Sequence, residues 1–533
     1  TGLDPGVHTV EVVPGGAQGQ WSLVDWRVGA APVRTAYVWK LAGLTAAALV
    51  LGTFAVREVR RLDWSSLGRM FLRWPEWAQT AVTVGLTGLF WAAAALGWGR
   101  LSSYSLVPVL GLILSLLVLL PLTFAFVLRL DLGLTLTACS APFYLVPRAM
   151  FYRALALPEV LLVVCLVAWC VSRTVCRGVL GQRRSVNLTL RKPAGADCAV
   201  ALLLAAALVS SAAAEDRVAG LFELRTIFFL PALGYALVRL ARLDDEAKRR
   251  IVDGFVVGGM GVALVGLAQA ALGRNLVVAE GGLRRLQSVY GSPNNVGLYL
   301  GRVWPLLAAS AMWGTSRRQR LYALAVLPTT LALLLSFSRG ALLLALPAAI
   351  VTMGWLARGR FRWLALALVL GIALAFIPLL RLPRFASLLH PGQGTTFFRL
   401  KLWRSSLQIV ADHPLLGVGP GNFSSAYRTR YVLPAAWQEF NLEHPHNILL
   451  DHWTRLGLLG LLAGAAVQVA FWRTICRATK RDPLWLGLAG GMAAVLAHGL
   501  VDNSVFFPDL ALVSALALAI VADQDLGDGR PRQ

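Results

Sequence analysis

Between Tyr37 and Val521 the chain passes through one apolar stretch after another, each about 20 residues long, enough to cross a bilayer as a helix. In lipid, every backbone N–H and C=O must find its partner within the protein. Runs of this length point to helices and exclude both a single-anchor enzyme and a β-barrel. Hydrophobic residues make up 57% of the chain and charged ones 14%, which excludes a string of soluble domains. Spans are expected near 36–56, 78–98, 105–128, 132–147, 159–176, 198–214, 219–240, 251–272, 293–313, 321–337, 340–356, 363–380, 447–471, 484–502 and 508–522. The predicted class is an all-α polytopic membrane protein of about fifteen helices, the fourth carrying the weakest signal.

The net charge of +23 arises from 50 Lys and Arg against 27 Asp and Glu. In a soluble chain this surplus would indicate nucleic acid, but here its placement alternates. The connections at 57–77, Arg129, 173–197, 239–250, 314–320, 357–362, 472–482 and the C-terminus hold 29 of the basic residues. By the positive-inside bias these face the cytoplasm. The opposite side holds 18, seven of them in one long loop from Arg381 to Pro445, and Arg225, Arg302 and Arg455 fall within spans. An odd number of spans places the N-terminus outside and the C-terminus inside. The surplus is therefore a topology signal, and no nucleic-acid partner is expected.

The six cysteines lie in or beside apolar runs without a CxxC pair, so neither a disulfide framework nor a metal site is expected. The opening TGLDPGVHTVEVVPGG lacks an initiator methionine and alternates apolar with polar residues after an Asp-Pro-Gly turn. It reads as the tail of a β domain, with an internal or processed start.

Three strings carry polar residues that an apolar bundle would not otherwise keep. EHPHNILLDHWTRLGLLGLL, where the long loop re-enters the membrane, holds His444, His446 and His452. His446 and Asn447 open a span, where free N–H groups favour an anion and keep imidazole neutral, as a base must be. Gly457 and Gly460 below them would admit a neighbouring helix. The plain alternative is a helix cap. GGLRRLQSVYGSPNNVGLYLGRVWPL places Arg284 and Arg285 before a Gly-Ser-Pro-Asn-Asn turn containing Asn294, and could be merely a capped helix. SFSRGALLLAL puts Arg339 in a turn so tight that it must snorkel or meet an anion. The charge alternation brings Arg285, Arg339 and His446 to one outer face. Planar guanidinium groups suit phosphate oxygens, so this grouping suggests a pyrophosphate held beside an acceptor hydroxyl. Within the long loop, TTFFRLKLWRSSLQIV sets Phe398, Leu402 and Ile409 along one face, with Arg399 and Arg404 elsewhere, as in a helix at the membrane surface. DHPLLGVGPGNF supplies Gly417, Gly419 and Gly421 for a sharp turn, and lacks the Lys-Ser/Thr pair of a nucleotide loop.

These strings, in this order, resemble the O-antigen ligase and O-antigen polymerase superfamily, most specifically in His446-Asn447 followed after nine residues by Gly457-Leu-Leu-Gly460. Leu461-Leu462 stand where the ligase signature carries a polar pair. The resemblance covers roughly 132–522, about twelve spans, with an outer-face loop at 381–446. It leaves 1–30 as a remnant of an extracytoplasmic β domain, 31–131 as additional N-terminal transmembrane helices and 523–533 as a cytoplasmic tail. It implies a metal-independent glycosyltransferase of the membrane-embedded C type with no cofactor. The donor would be an undecaprenyl-diphosphate-linked glycan and the acceptor a glycan or glycolipid. The site would lie on the outer, periplasmic or extracellular, face of the cytoplasmic membrane. Carried over, Arg285 and Arg339 would bind the diphosphate and His446 would activate the acceptor hydroxyl. Asn447, His444, Arg284, Asn294, Arg225, Arg399, Gly457 and Gly460 would support them. Asp412, Glu439, Glu443 and Asp451 are reserve carboxylates for orienting His446. Three alternatives stand beside the ligase: a polymerase using a second lipid-linked repeat, a protein O-oligosaccharyltransferase, and a flippase of the same lipid.

Overall fold

Helices form where the apolar runs lie, since a backbone removed from water has no other way to satisfy itself. The computed structural model describes residues 63–98, 107–150, 153–174, 193–314, 316–381, 383–386, 392, 394–477 and 482–523. The β remnant at 1–30, the expected span at 36–56 and most of the connection 173–197 lie outside the described residues, as does the chain beyond 523. Within Gly68–Gln533, which forms one unit, the helices used below are α1 (Glu76–Trp98), α2 (Val107–Leu128), α3 (Leu130–Ser140), α4 (Leu157–Thr174) and α5 (Gly195–Ala213). They continue with α6 (Arg217–Ala241), α7 (Asp245–Leu272), α8 (Pro293–Trp313), α9 (Ser316–Leu335) and α10 (Ala341–Ala357). The last five are α11 (Arg360–Phe376), α12 (Gly394–Asp412), α13 (Ile448–Arg477), α14 (Pro483–Gly499) and α15 (Pro508–Ala522).

The protein is an all-α membrane protein. Six of its described helices are long and apolar enough to cross a bilayer, or seven if a bent pair is counted as one span, and α10, α14 and α15 are shorter apolar helices. The expected span at 132–147 falls in the second half of this bent pair. Residues 113–128 and 130–143 meet at 116°, and α3 is only 11 residues long. Arg129 breaks the run, and its guanidinium is held by Asp131 at 2.8 Å and Glu76 at 3.2 Å. Past Ser140 the chain turns through Pro142 into a short antiparallel hairpin, Arg148–Met150 with Arg153–Leu155. α3 packs closely against α7. There a Cβ at Gly254 or Gly258 would stand 2.3 Å from the Thr135 carbonyl oxygen or 2.5 Å from that of Cys139.

The core is built by α8 against α14 and α9, α5 against α13, α6 against α15 and α10 against α14. Tyr299, Val303 and Leu307 of α8 are fully buried in it. Connections assigned to one side by their basic residues meet one another. Arg250 reaches Asp131 at 2.7 Å, Arg318 reaches Asp253 at 2.7 Å and Glu246 at 2.8 Å, Lys248 reaches Asp523 at 2.7 Å, and Arg249 pairs with Asp482. Residues of the other connections gather around the site described next.

Candidate functional site

A second short hairpin, Leu276–Val278 with Arg284–Leu286, separates the two neighbouring arginines by strand alternation. Arg284 is exposed, while Arg285 is buried. Its Nε–H donates to the Ser336 carbonyl at 2.8 Å and its Nη2 to Asn294 Oδ1 at 2.9 Å. Arg339 enters from the turn before α10 and donates to the Arg384 carbonyl at 3.1 Å and to Thr395 Oγ1. Arg384 Nε–H returns a bond to the Phe337 carbonyl at 3.0 Å. With Arg399 of α12, these three arginines line a cavity of about 100 Å³ that also touches Asn294, His498 and Asp502. Among the described lining residues, Asp502 carries the one carboxylate facing four guanidinium groups.

Asp502, between α14 and α15, links this arginine cavity to the histidines. Its Oδ1 stands 2.7 Å from His446 Nδ1 and 3.8 Å from His444 Nε2, and its Oδ2 lies 3.8 Å from Arg399. The two imidazoles are edge to face with centroids 4.3 Å apart. Burial pushes the Asp502 carboxyl up, but His446 at hydrogen-bond distance, the nearby His444 and the Arg399 charge outweigh it and hold the group well below the carboxylate range. Burial, with the neighbouring His446, lowers the His444 pKa. When His446 Nδ1–H donates to Asp502, the Nε2 lone pair is left as the basic position. Trp403 of α12 donates to the Pro445 carbonyl at 3.0 Å, fixing the His-Pro-His segment from the loop side.

Strained backbone gathers here. Ser288, Phe337 and His446 adopt φ of 50°, 45° and 51°, each within three residues of Arg285, Arg339 or His446 itself. A π-helical turn, Ala341–Ala345, follows Arg339 directly.

A larger cavity, about 1030 Å³, opens on the other side of the His444–Asp502 contact. His444 lines it, together with Tyr290, Asn295, Asn503 and Phe507. Its charged lining is reversed: Glu159, Asp216, Glu223 and Glu443 against Arg225 and Arg455. Arg225 pairs with Glu159 at 3.6 Å, not with the Glu223 that adjoins it in sequence. Glu223 instead pairs with Arg455, which Asp451 also holds at 2.6 Å.

The structure thus brings together Arg285, Asn294, Arg339, Arg399, His444 and His446, and sets Arg284 facing away. Arg302, one of the arginines that fall within spans, bonds to the Leu298 carbonyl at 2.5 Å and to that of Ser504 within the core. Asn447 caps α13, accepting from Leu449 and Leu450 N–H, and donates to the Leu500 carbonyl at 3.0 Å. The neighbour admitted by Gly457 is a loop and not a helix. Its φ of 66° and bare Cα let Leu415 approach so closely that a Cβ would lie 2.0 Å from that carbonyl oxygen, and Leu458 N–H then bonds to the Pro414 carbonyl at 2.9 Å. Gly460 packs against Leu456 of its own helix. Among the described residues His446 bonds to Asp502 and to none of the four reserve carboxylates, Glu439 included: Asp412 accepts from Tyr431, Asp451 holds Arg455 and Glu443 lines the large cavity. Asp502 and Arg384 were missed. The charge alternation already puts the 503–507 connection on the same face as Arg339, and that was the available signal.

Residues 323–465 match the family model described as O-antigen ligase. This match supports the O-antigen ligase superfamily. No curated protein matches. The ligase segment supplies Arg339, Arg384, Arg399, His444 and His446, whereas Arg285, Asn294 and Asp502 join it from outside. The domain makes the protein a ligase- or polymerase-like enzyme of the glycosyltransferase type, at a membrane and in polysaccharide biosynthesis, with lipid-linked glycans as its substrate class. His444, His446 and Asp502 are also the described group whose ligand atoms lie close enough, within 4.8 Å of one another, to hold a metal ion. Four guanidinium groups beside it make the position unfavourable for a dication.

Proposed function

We propose that the protein transfers a glycan from an undecaprenyl-diphosphate donor to a hydroxyl acceptor, on the outer face of the cytoplasmic membrane and without a metal. The observation that carries this reading is the convergence of Arg285, Arg339, Arg384 and Arg399 on a cavity also lined by Asp502, which holds His446 at 2.7 Å. Guanidinium forks stabilise the diphosphate as its charge grows, the role a cation would otherwise fill. The bond between the sugar C1 and the diphosphate oxygen breaks, and its electron pair leaves with the phosphate. The acceptor oxygen bonds to C1, and its proton passes to His446 Nε2. Asp502 holds the ring and balances the imidazolium that forms. The outer-face assignment rests on the positive-inside distribution of the other connections.

Purified protein supplied with a lipid-linked glycan, with and without a separate acceptor, tests the reading. Product formed only with the acceptor is the expected ligase outcome. A ladder from donor alone would make the enzyme a polymerase, and lipid crossing a vesicle bilayer without release of polyprenyl diphosphate would contradict transfer altogether.

A further inference from the structure

The large cavity has no role in holding the diphosphate, and its chemistry opposes that ligand. Four carboxylates and two guanidinium groups line it, and both guanidinium groups are already paired with carboxylates. Glu223 is 7% exposed, and while one of its oxygens takes Arg455, the other has no hydrogen-bond partner among the described residues. A buried carboxylate oxygen without a donor is costly, and a hydroxyl or ammonium donor in the cavity would satisfy it. Asp216 caps α6 by accepting from Val218 and Ala219 N–H. The exposed carboxylate of Glu443 directly precedes His444, at the end of the cavity nearest the base.

The cavity continues into an apolar one. Ile227, Pro231 and Phe506 line both the large cavity and a second, of about 190 Å³, that runs among α5, α6, α13, α14 and α15 with walls of Leu, Ile, Val and Ala. A ligand with a hydroxyl-rich head and a hydrocarbon chain matches this pair of spaces.

We infer that the large cavity is the acceptor site, and that it takes a lipid-borne glycan whose head bears no phosphate, with Glu443 and Glu223 receiving its hydroxyl or amino protons. The inference rests on the transfer reading above, which puts the diphosphate among the arginines. The acidic lining then keeps the donor's anionic group out and delivers an uncharged hydroxyl to His446 from the other side.

The test uses the full chain in phosphatidylcholine nanodiscs with two photoreactive probes, a dodecyl glycoside and the same glycoside phosphorylated on its sugar. The neutral probe should label 216–231 and 503–512 with about tenfold preference over the phosphorylated one, as a charge of one sign on the lining requires. Glu443→Arg should abolish or reverse that preference, Glu443→Gln should reduce it, and Ser424→Trp should block labelling by both probes. Equal labelling by the two probes in the unaltered protein, labelling elsewhere, or a preference unmoved by Glu443→Arg would overturn the inference. Binding of polyprenyl diphosphate is measured in the same samples. Its independence of Arg339 would sink the donor reading, an outcome separate from any probe preference.

Discussion

The two cavities flanking the histidine pair are built from the same kinds of side chain with opposite bookkeeping. In the smaller, four arginines face one carboxylate; in the larger, four carboxylates face two arginines. His444 lines one and Asp502 the other, and the two side chains are 3.8 Å apart. The contrast teaches that charge can separate two amphiphilic substrates that share sugars and lipid chains. What differs between them near the reacting bond is the diphosphate, and the division of charge falls there.

The most severe way to break this arrangement is at the divide. His446→Ala should lower transfer by roughly 10²–10⁴-fold with donor binding retained, the range for loss of a positioned general base. Asp502→Asn should approach that loss, since the amide neither balances an imidazolium nor fixes the Nδ1–H tautomer. Turnover and donor affinity measured separately would expose an error, because a purely structural Asp502 would lower both alike.

On the cationic side, Arg339→Ala should cost roughly 10²–10³-fold in transfer, as for removal of one preorganised donor to a developing anion. Arg339→Lys should recover little of it, because a point charge lacks the fork. Arg285→Ala should cost far more than Arg284→Ala, its exposed neighbour. Equal losses in that pair would mean that general surface charge, and not the cavity, attracts the donor.

The smallest effect is on stability with pH. Burial keeps His444 below the ordinary imidazole value of 6.5, and the groups around Asp502 hold it well below the ordinary carboxylate value. Both bind protons more readily when unfolded, so their contributions are present at neutral pH. The His444 contribution is lost as pH falls below 6.5, and the Asp502 contribution only below the unfolded carboxylate range. Melting between pH 7.5 and 5 should show Tm falling, and His444→Gln should flatten that fall. A steeper slope in the variant would contradict the assignment.

Much of this was legible in the sequence because apolar runs mark helices and an arginine or histidine at the end of one stands out. Arg285, Arg339 and His446 were visible for that reason, and the alternation of basic connections placed them on one face. Asp502 was not, because Asp-Asn between two apolar runs looks like an ordinary turn, and its partner is 56 residues away. The carboxylates held in reserve were chosen for nearness along the chain or in the long loop, while the actual neighbour arrives through the packing of α14 and α15 beside α13. Arg384 was lost among the basic residues of the long loop. The fourth span gave the weakest signal because its helix is short, with only 11 residues in α3. α3 is covered by α7.

The account is tested most directly by a structure of the full chain in nanodiscs with polyprenyl diphosphate bound. The diphosphate should lie among Arg285, Arg339, Arg384 and Arg399, on the Asp502 side of His446, with the large cavity free of it. A diphosphate seated instead beside Glu443 and Glu223 would contradict the division of the two cavities and the chemistry built on it.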